Sequence, residues 1–189
     1  MEEKLKQQPS NCIKVVLFGP ESTGKTTLSM HLARHYDSVW VPEYARQYLQ
    51  SKWNNERKTC EPKDLLPIAK GQIRLENELA KKTDTVLICD TDLLETKVYS
   101  ETYYSGSCDP ILEKCALENK YDLYFLTYID TPWEADDLRD KPKQREDMFK
   151  AFEDALIKYN RPYVLLKGNK LQRLTKAIES IDKLLKKKR

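Results

Sequence analysis

The hydrophobic positions of this chain are concentrated in five short runs that polar stretches separate. The first run is Ile13–Phe18, and four more follow at residues 38–41, 85–90, 122–129 and 163–166. Short apolar runs rich in β-branched residues are typical of buried β-strands. Because no Asn-Gly or Asp-Gly pair stands between them, the sequence does not indicate tight hairpins. The pattern therefore predicts parallel strands joined by longer connections.

Apolar residues at helical spacing fill most of the intervals between these runs. The predicted helices cover residues 25–36, 44–53, 64–82, 92–99, 145–159 and 171–185. Strands that alternate with helices predict an α/β fold, with a doubly wound five-stranded parallel sheet covered by helices on both faces. In such a sheet, ligands bind beyond the carboxyl ends of the strands.

Length and composition indicate one globular domain. A chain of 189 residues, 40% hydrophobic and 33% charged, is long enough and apolar enough to bury one core. We expect residues 1–11 to be a flexible leader and residues 12–189 to form the domain, with a small lid at about 131–147. The net charge of +3 does not indicate a nucleic-acid partner, and the apolar runs are too short to span a membrane.

The cysteines indicate a reducing compartment. There are five of them, an odd number, and no Cys-x-x-Cys pair occurs. Reduced thiols in the cytoplasm explain this better than a disulfide framework does. The basic run at residues 186–189 is typical of a solvated helix end. The sequence carries no signal for an oligomeric state.

A glycine-rich segment follows the first strand and precedes a helix: Gly19-Pro20-Glu21-Ser22-Thr23-Gly24-Lys25-Thr26, hereafter the phosphate loop. Glycines let the backbone bend tightly and approach a polyphosphate without a Cβ clash. The backbone N–H groups and the helix start then form an anion site, while Lys25 adds a positive charge. The Thr26 hydroxyl can ligate Mg²⁺. The spacing predicts binding of the β- and γ-phosphates of ATP with Mg²⁺.

Two acids at the end of the third strand are candidates for the chemistry. Asp90 is expected to hold Mg²⁺ together with Thr26, or to orient the group that attacks phosphorus. Asp92 has two interpretations: it contributes to the site, or it only caps the next helix, with Glu95 completing a capping box. The sequence leaves both open.

Another acid, Glu43, follows the second strand. Its carboxylate could accept the proton of a substrate hydroxyl. The alternative is a surface ion pair with Arg46, three residues later on a helix. The aromatic residues around it, Trp40, Tyr44 and Tyr48, fit base stacking and core packing equally well.

The segment from Thr131 to Glu146 is too charged for a core. As a lid over the site it would exclude water, and Arg139 and Arg145 would neutralise charge on the transferring phosphoryl group. The alternative is a solvated helix pair with internal ion pairs. The phosphate loop favours the lid.

Several segments together resemble the ribosylnicotinamide kinase domain of NadR-type proteins, a branch of the P-loop kinases. The matching residues are Gly19-Pro20-Glu21-Ser22-Thr23-Gly24-Lys25-Thr26-Thr27, Pro42-Glu43-Tyr44-Ala45-Arg46, Gly71-Gln72, Cys89-Asp90-Thr91-Asp92, and Trp133-Glu134-Ala135-Asp136-Asp137-Leu138-Arg139. The similarity extends from Ile13 to the last helix. Its most specific parts are the Glu-Tyr and Asp-Thr-Asp segments and the Asp-x-Leu-Arg of the lid.

The resemblance implies transfer of the ATP γ-phosphate to the ribose 5′-hydroxyl of nicotinamide riboside, giving nicotinamide mononucleotide. It implies nucleotide binding by the phosphate loop and Thr27, and acceptor binding by Trp40, Glu43, Tyr44, Gln72, Asp90 and Asp92. The expected catalytic residues are Lys25, Glu43, Asp90, Arg139 and Arg145. One departure is Pro42, where the family has an aromatic residue, so stacking would move to Trp40 or Tyr44. In NadR this kinase is fused to an adenylyltransferase. We expect another protein to supply the adenylyltransferase reaction here.

Two other functions share the phosphate loop. One is a different nucleoside or nucleotide kinase, which would differ only in the pocket for the base. The other is a regulatory ATPase that switches a partner and has no small-molecule acceptor. The charged lid favours a kinase, because a switch needs no cover that excludes water.

Overall fold

The computed structural model of this protein describes residues 2–138 and 144–188. Five strands form one sheet in the order β2-β3-β1-β4-β5, and every pairing between neighbours is parallel. The strands are β1 (Ile13–Phe18), β2 (Trp40–Val41), β3 (Val86–Asp90), β4 (Leu123–Thr127) and β5 (Tyr163–Leu166). The predicted doubly wound parallel sheet is confirmed.

Helices connect the strands and cover both faces of the sheet. They are α1 (Lys25–His35), α2 (Tyr44–Glu56), α3 (Pro62–Leu79), α4 (Leu93–Tyr103), α5 (Pro110–Glu118), α6 (Arg145–Lys158) and α7 (Lys170–Lys188). In the part of the chain that the structure describes, no helix has both the length and the apolar character needed to cross a membrane.

The central strand β1 shows why the sheet is buried on both sides. All six of its residues are buried. Val15 and Leu17 belong to the core beneath α1 and α7, whereas Val16 and Phe18 belong to the core beneath α4 and α6. Side chains alternate between the faces of a strand, so a continuous apolar run is what a doubly covered strand requires.

The helix α5 was not predicted. Its first turn is stabilised by Asp109, whose side chain accepts hydrogen bonds from the backbone N–H groups of Ile111 and Leu112, and Pro110 occupies the first turn. An Asp-Pro pair is also typical of a turn, and at nine residues the helix is too short for a clear periodic signal.

The segment before β1 packs on the domain, although the sequence led us to expect a flexible leader at 1–11. A 3₁₀ turn, Glu2–Leu5, buries Leu5 completely against apolar residues of α3 and α5. Beyond it, Gln7 Nε2 donates to Glu76 Oε1 at 2.8 Å, and Lys14 Nζ forms an ion pair with the same oxygen at 2.9 Å. A single leucine among polar residues gives no periodic signal, so this contact is visible only in three dimensions.

We predict that Leu5→Ala destabilises the protein by about 2–5 kcal/mol, because it leaves a cavity in a packed cluster. The free energy of unfolding, measured by urea denaturation, checks this. Lys4→Ala is the matched control, since Lys4 is exposed in the same turn and its loss should change little. Equal stabilities of the two variants would mean that the segment does not pack on the domain.

Candidate active site

The phosphate loop adopts the tight path that its glycines predict. Gly19 has a φ of 132° and Gly24 a φ of 83°, both in the range that favours glycine. A Cβ at Gly19 would also lie 2.8 Å from Thr127 Oγ1 and 3.0 Å from the carbonyl oxygen of the same residue. The loop therefore lies against the end of β4, and only glycine fits at its start.

Side chains on both sides hold the loop in place. The Thr23 hydroxyl donates to the Pro20 carbonyl at 2.8 Å and lies 2.7 Å from the Thr127 hydroxyl. The Ser22 carbonyl accepts a hydrogen bond from the Thr131 hydroxyl at 2.8 Å. The loop is thus tied to β4 and to the segment that follows it.

Lys25 is buried at the start of α1 with its ammonium inside the loop. Nζ donates to the carbonyls of Gly19 at 2.6 Å and Pro20 at 3.0 Å, and it forms an ion pair with Glu95 Oε1 at 3.2 Å. Burial acts to lower the pKa of Lys25, but the attraction of Glu95, Glu43 and Asp90 raises it overall. The lysine is therefore charged and buried inside the loop.

Asp90 and Thr26 form a pair beside this lysine. The Thr26 hydroxyl donates to Asp90 Oδ2 at 2.5 Å, whereas no described residue donates to Oδ1, which is buried. Burial and the repulsion from Glu43 raise the pKa of Asp90 to about 7, despite the attraction of Lys25 and the hydrogen bond from Thr26. A buried carboxylate oxygen of this kind is available to a cation or to its bound water.

Glu95 is a site residue that the sequence did not reveal. It lies in the first turn of α4, and its side chain pairs with Lys25 instead of closing a capping box on Asp92. Burial raises the pKa of Glu95 to about 8, in spite of the attraction of Lys25. Only its position three residues after an N-cap was visible in sequence, and that position suggested a different partner.

The structure decides between the two interpretations of Asp92. Oδ1 accepts the backbone N–H of Glu95 at 3.0 Å, and Oδ2 accepts the Tyr124 hydroxyl at 2.8 Å. The side chain is buried and caps α4. Both oxygens are used inside the protein, so the expected acceptor-binding role is not supported by this geometry.

A cleft of about 450 Å³ opens beside the loop. Residues 21–27 of the loop and its helix line it, together with Glu43 and side chains of α2, α3 and α4. Apolar and aromatic residues make up much of the α2, α3 and α4 wall: Leu49, Leu65, Ile68, Tyr99, Tyr103 and Tyr104. Such a mixture of a few polar groups with apolar walls is usual for small-molecule sites.

Gln72 fixes the segment that carries Glu43. Its side chain accepts the backbone N–H of Tyr44 at 2.8 Å and donates to the carbonyl of Pro42 at 3.3 Å. The ring of Tyr44 lies where a side chain at Gly71 would be, because a Cβ there would come within 2.0 Å of it. The Gly-Gln pair therefore holds Glu43 at the cleft wall from behind.

Trp40 and Tyr44, which the sequence suggested for stacking on the base, are not among the residues that line the cleft. Trp40 packs with the core beneath α1 and α7, and Tyr44 packs on Gly71. The tyrosines that line the cleft are instead Tyr99 and Tyr103 of α4 and the next residue, Tyr104. The sequence had predicted that this helix ends at about Tyr99. A strand-end aromatic can face either side of a sheet, so sequence position did not separate stacking from packing.

The lid segment is described in part. Arg139 lies outside the described residues. The Arg145 guanidinium donates to the carbonyls of Thr131 at 2.8 Å and Ser22 at 3.3 Å. Arg46 pairs with Asp136 at 2.8 Å rather than with Glu43. In this structure Arg145 holds the backbone of the loop, and its expected contact with a phosphate stays a prediction.

The residues present fit a phosphate-bound magnesium ion and not a metal held by protein alone. Among residues 2–138 and 144–188, no group of three or more His, Cys, Asp or Glu side chains is arranged to hold a metal. The Thr26 hydroxyl and the open oxygen of Asp90 instead offer one or two oxygen contacts. Magnesium usually binds in this way, with phosphates and water completing its shell.

We predict that the free energy of unfolding falls as the pH rises from about 5 to about 8, with Glu95 contributing. The unfolded chain releases this proton near the ordinary value of 4.5, whereas the folded protein keeps it up to about 8. Glu95→Gln removes the titration, so its free energy of unfolding should fall less over the same range. Urea denaturation without nucleotide at both pH values measures this.

Glu78→Gln serves as the control, because Glu78 is exposed on α3. This variant should follow the pH dependence of the original protein. Identical pH dependence in Glu95→Gln would contradict the assignment of a raised pKa to Glu95.

Comparison with known proteins agrees with this geometry. Over 158 residues the chain is 29% identical to the trifunctional NAD biosynthesis/regulator protein NadR of Salmonella typhimurium (strain LT2), a match that covers 84% of the chain and 36% of that protein. The chain thus spans about a third of the length of the curated relatives it matches. The resemblance to NadR-type proteins is confirmed.

Solved structures show the same fold. A NadR protein in complex with NR superposes with a TM-score of 0.77 at 21% identity, covering 92% of this chain and 52% of that one. Thymidylate kinase from Candida albicans superposes with a TM-score of 0.68 at 16% identity, and the match covers 96% of each chain. The P-loop kinase fold is therefore confirmed.

A model of the AAA domain family AAA_28 matches residues 14–173, which is most of the length of the chain, and the chain belongs to this family.

Proposed function

We propose that this protein transfers the γ-phosphoryl group of ATP to the ribose 5′-hydroxyl of nicotinamide riboside. The observation that carries this proposal is the meeting of the phosphate loop, the Thr26–Asp90 pair and Glu43 at one cleft. Support comes from the similarity to NadR, which has been solved in complex with NR and with NAD and AMP-PNP. The product would be nicotinamide mononucleotide.

The loop end of the cleft is proposed to hold the nucleotide. Backbone N–H groups at the start of α1 and the charge of Lys25 favour the β- and γ-phosphates. Lys25 can reach them by leaving the carbonyls of Gly19 and Pro20, which it contacts here. When bound through Thr26 and Asp90, Mg²⁺ would neutralise charge between the two phosphates.

Glu43 is proposed to orient the acceptor hydroxyl and take its proton. It lines the cleft, and Gln72 holds its segment in place. Asp90 is less suited, since it is buried and one of its oxygens already accepts the Thr26 hydroxyl. The structure thus favours a division of labour in which Asp90 serves the nucleotide and Glu43 the acceptor.

The cover of the site is proposed to come from the segment at about 131–147. Pro132 and Leu138 line the cleft from this segment, and Arg46 and Gln50 of α2 contact its acidic residues. Exclusion of water would protect ATP from hydrolysis. Arg139, next in sequence, is proposed to add positive charge near the transferring group.

The five cysteines are all free thiols. Reduced cysteines are the rule in the cytosol. We therefore propose a cytoplasmic enzyme with a small-molecule acceptor.

We predict that the protein with MgATP converts nicotinamide riboside to its phosphate in preference to thymidine, deoxycytidine or deoxyadenosine. Lys25→Ala should abolish this turnover, because the variant loses the ammonium that is buried inside the phosphate loop. Mass spectrometry of the products from this acceptor panel is the measurement.

Lys81→Ala is the control, since Lys81 is exposed in the 3₁₀ turn after α3 and does not line the cleft. It should phosphorylate the same acceptor as the original protein does. Preference for a deoxynucleoside would replace the proposed acceptor, and slow ATP hydrolysis without any phosphorylated product would favour a regulatory ATPase.

We further predict that Glu43→Gln lowers kcat by about 10²–10⁴-fold, because the hydroxyl loses its proton acceptor. ATP affinity should stay the same or improve, since a negative charge near the phosphates is removed. Asp90→Asn should instead raise the Mg²⁺ concentration needed for half of the maximal rate. Steady-state kinetics at varied Mg²⁺ separates the two.

Glu78→Gln, on the exposed face of α3, should leave both quantities unchanged. Near-normal kcat in Glu43→Gln would remove Glu43 from the role of base.

A further inference from the structure

Arg173 is a buried arginine near the start of α7, and neither the expected site residues nor the proposed chemistry includes it. Only 4% of its surface is exposed. The guanidinium donates to the carbonyl oxygens of Thr23 at 2.7 Å, Tyr128 at 2.9 Å and Gly168 at 2.9 Å. It also forms an ion pair with Asp130.

These contacts join three segments that meet at the carboxyl edge of the sheet. Thr23 belongs to the phosphate loop, Asp130 follows β4, and Gly168 lies in the turn between β5 and α7. Asp130 reinforces the junction, because its second carboxylate oxygen accepts the backbone N–H of Gly168 at 2.6 Å. A planar guanidinium with five donors can serve several acceptors at once, which a lysine ammonium on a flexible stem does less well.

The contact with Thr23 has a geometric consequence for the loop. In a trans peptide the C=O and the following N–H point in opposite directions. Since the Thr23 carbonyl points at Arg173, the N–H of Gly24 points away from it, and Gly24 lines the cleft. In the preceding peptide, Thr131 and Arg145 hold the Ser22 carbonyl, so the N–H of Thr23 points away from those two side chains.

Side chains from outside the loop therefore hold two consecutive loop carbonyls. A site for a polyphosphate requires N–H groups on its inner side and carbonyls turned away, since carbonyl oxygens repel phosphate oxygens. Gly24 is free to rotate more than other residues, so its peptide is the one that most needs an external restraint. Arg173 supplies that restraint and places a positive charge behind the loop.

We propose that Arg173 is a positioning residue for nucleotide binding: by holding the Thr23 carbonyl, it presets the Gly24 N–H for the phosphates of ATP. It acts through the loop backbone and does not itself touch the nucleotide. This inference rests on the ATP-binding half of the proposed function and is independent of the acceptor.

The test is the affinity for MgATP, measured by calorimetry without any acceptor. Arg173→Met should bind MgATP about 10–100-fold more weakly, which corresponds to the loss of hydrogen bonds from a charged donor. The MgATP affinity of Arg173→Lys should lie between those of the original protein and Arg173→Met, because lysine keeps the charge but not the planar set of donors of the guanidinium. In kinetics, KM for ATP should rise while KM for the acceptor stays unchanged.

Arg161 provides a matched control for a purely structural arginine. Its guanidinium also donates to backbone carbonyls, those of Ala116 at 3.3 Å and Leu117 at 2.6 Å, at the end of α5. Arg161→Met should lose stability to urea yet bind MgATP as the original protein does. Equal MgATP affinity in Arg173→Met and Arg161→Met would overturn the proposal.

A rescue experiment separates positioning from general damage. Guanidinium ion at low millimolar concentration should restore part of the ATP affinity of Arg173→Ala and should not change that of Arg161→Ala. If Arg173→Met fails to fold, Arg173→Lys decides: weakened MgATP binding supports the role, and unchanged binding overturns it. A protein that binds MgATP but phosphorylates no nicotinamide riboside would contradict the proposed function and leave this test intact.

Discussion

Lys25 carries a positive charge in a place that water hardly reaches, and the surrounding structure is organised around that charge. Two loop carbonyls and Glu95 contact its ammonium, while Asp90 and Glu43 act on it from further away. Burial, together with repulsion among Glu43, Asp90 and Glu95 that a single ammonium does not offset, raises the pKa of Asp90 and Glu95. Such a site suits a ligand that arrives with a divalent cation, because the cation supplies the missing positive charge as the phosphates enter.

The sheet makes this arrangement possible. With β1 between β3 and β4, the phosphate loop leaves the central strand with Asp90 on one side and Thr127 on the other. Each neighbour supplies a contact: Asp90 accepts from Thr26, and Thr127 meets both Gly19 and Thr23. The loop is thus supported by strand ends, by Thr131 and by two arginines, Arg145 and Arg173.

The fold is similar to those of a NadR protein solved in complex with NR and of a thymidylate kinase, so the fold alone does not specify what this protein acts on. What distinguishes this chain must therefore lie in the walls of the cleft. Two tyrosines of α4, the adjacent Tyr104 and the apolar residues of α2 and α3 form those walls, and Gln72 fixes the backbone on either side of Glu43. The proposal of a nucleoside acceptor depends on these walls more than on the loop.

The sequence by itself determined the parallel sheet, most helices, the phosphate loop and the carboxylates that follow strands, because periodicity and glycine spacing are local properties of a chain. It did not determine α5, whose nine residues give too weak a signal, or the packing of Leu5. Only the tertiary structure decided that Glu95 pairs with Lys25, that Trp40 packs in the core, that Asp92 is a cap, and that Arg173 meets the loop. Thr23 and Arg173 are 150 positions apart, and their contact arises only when α7 packs against α1 and β5, a relation that no short sequence pattern encodes.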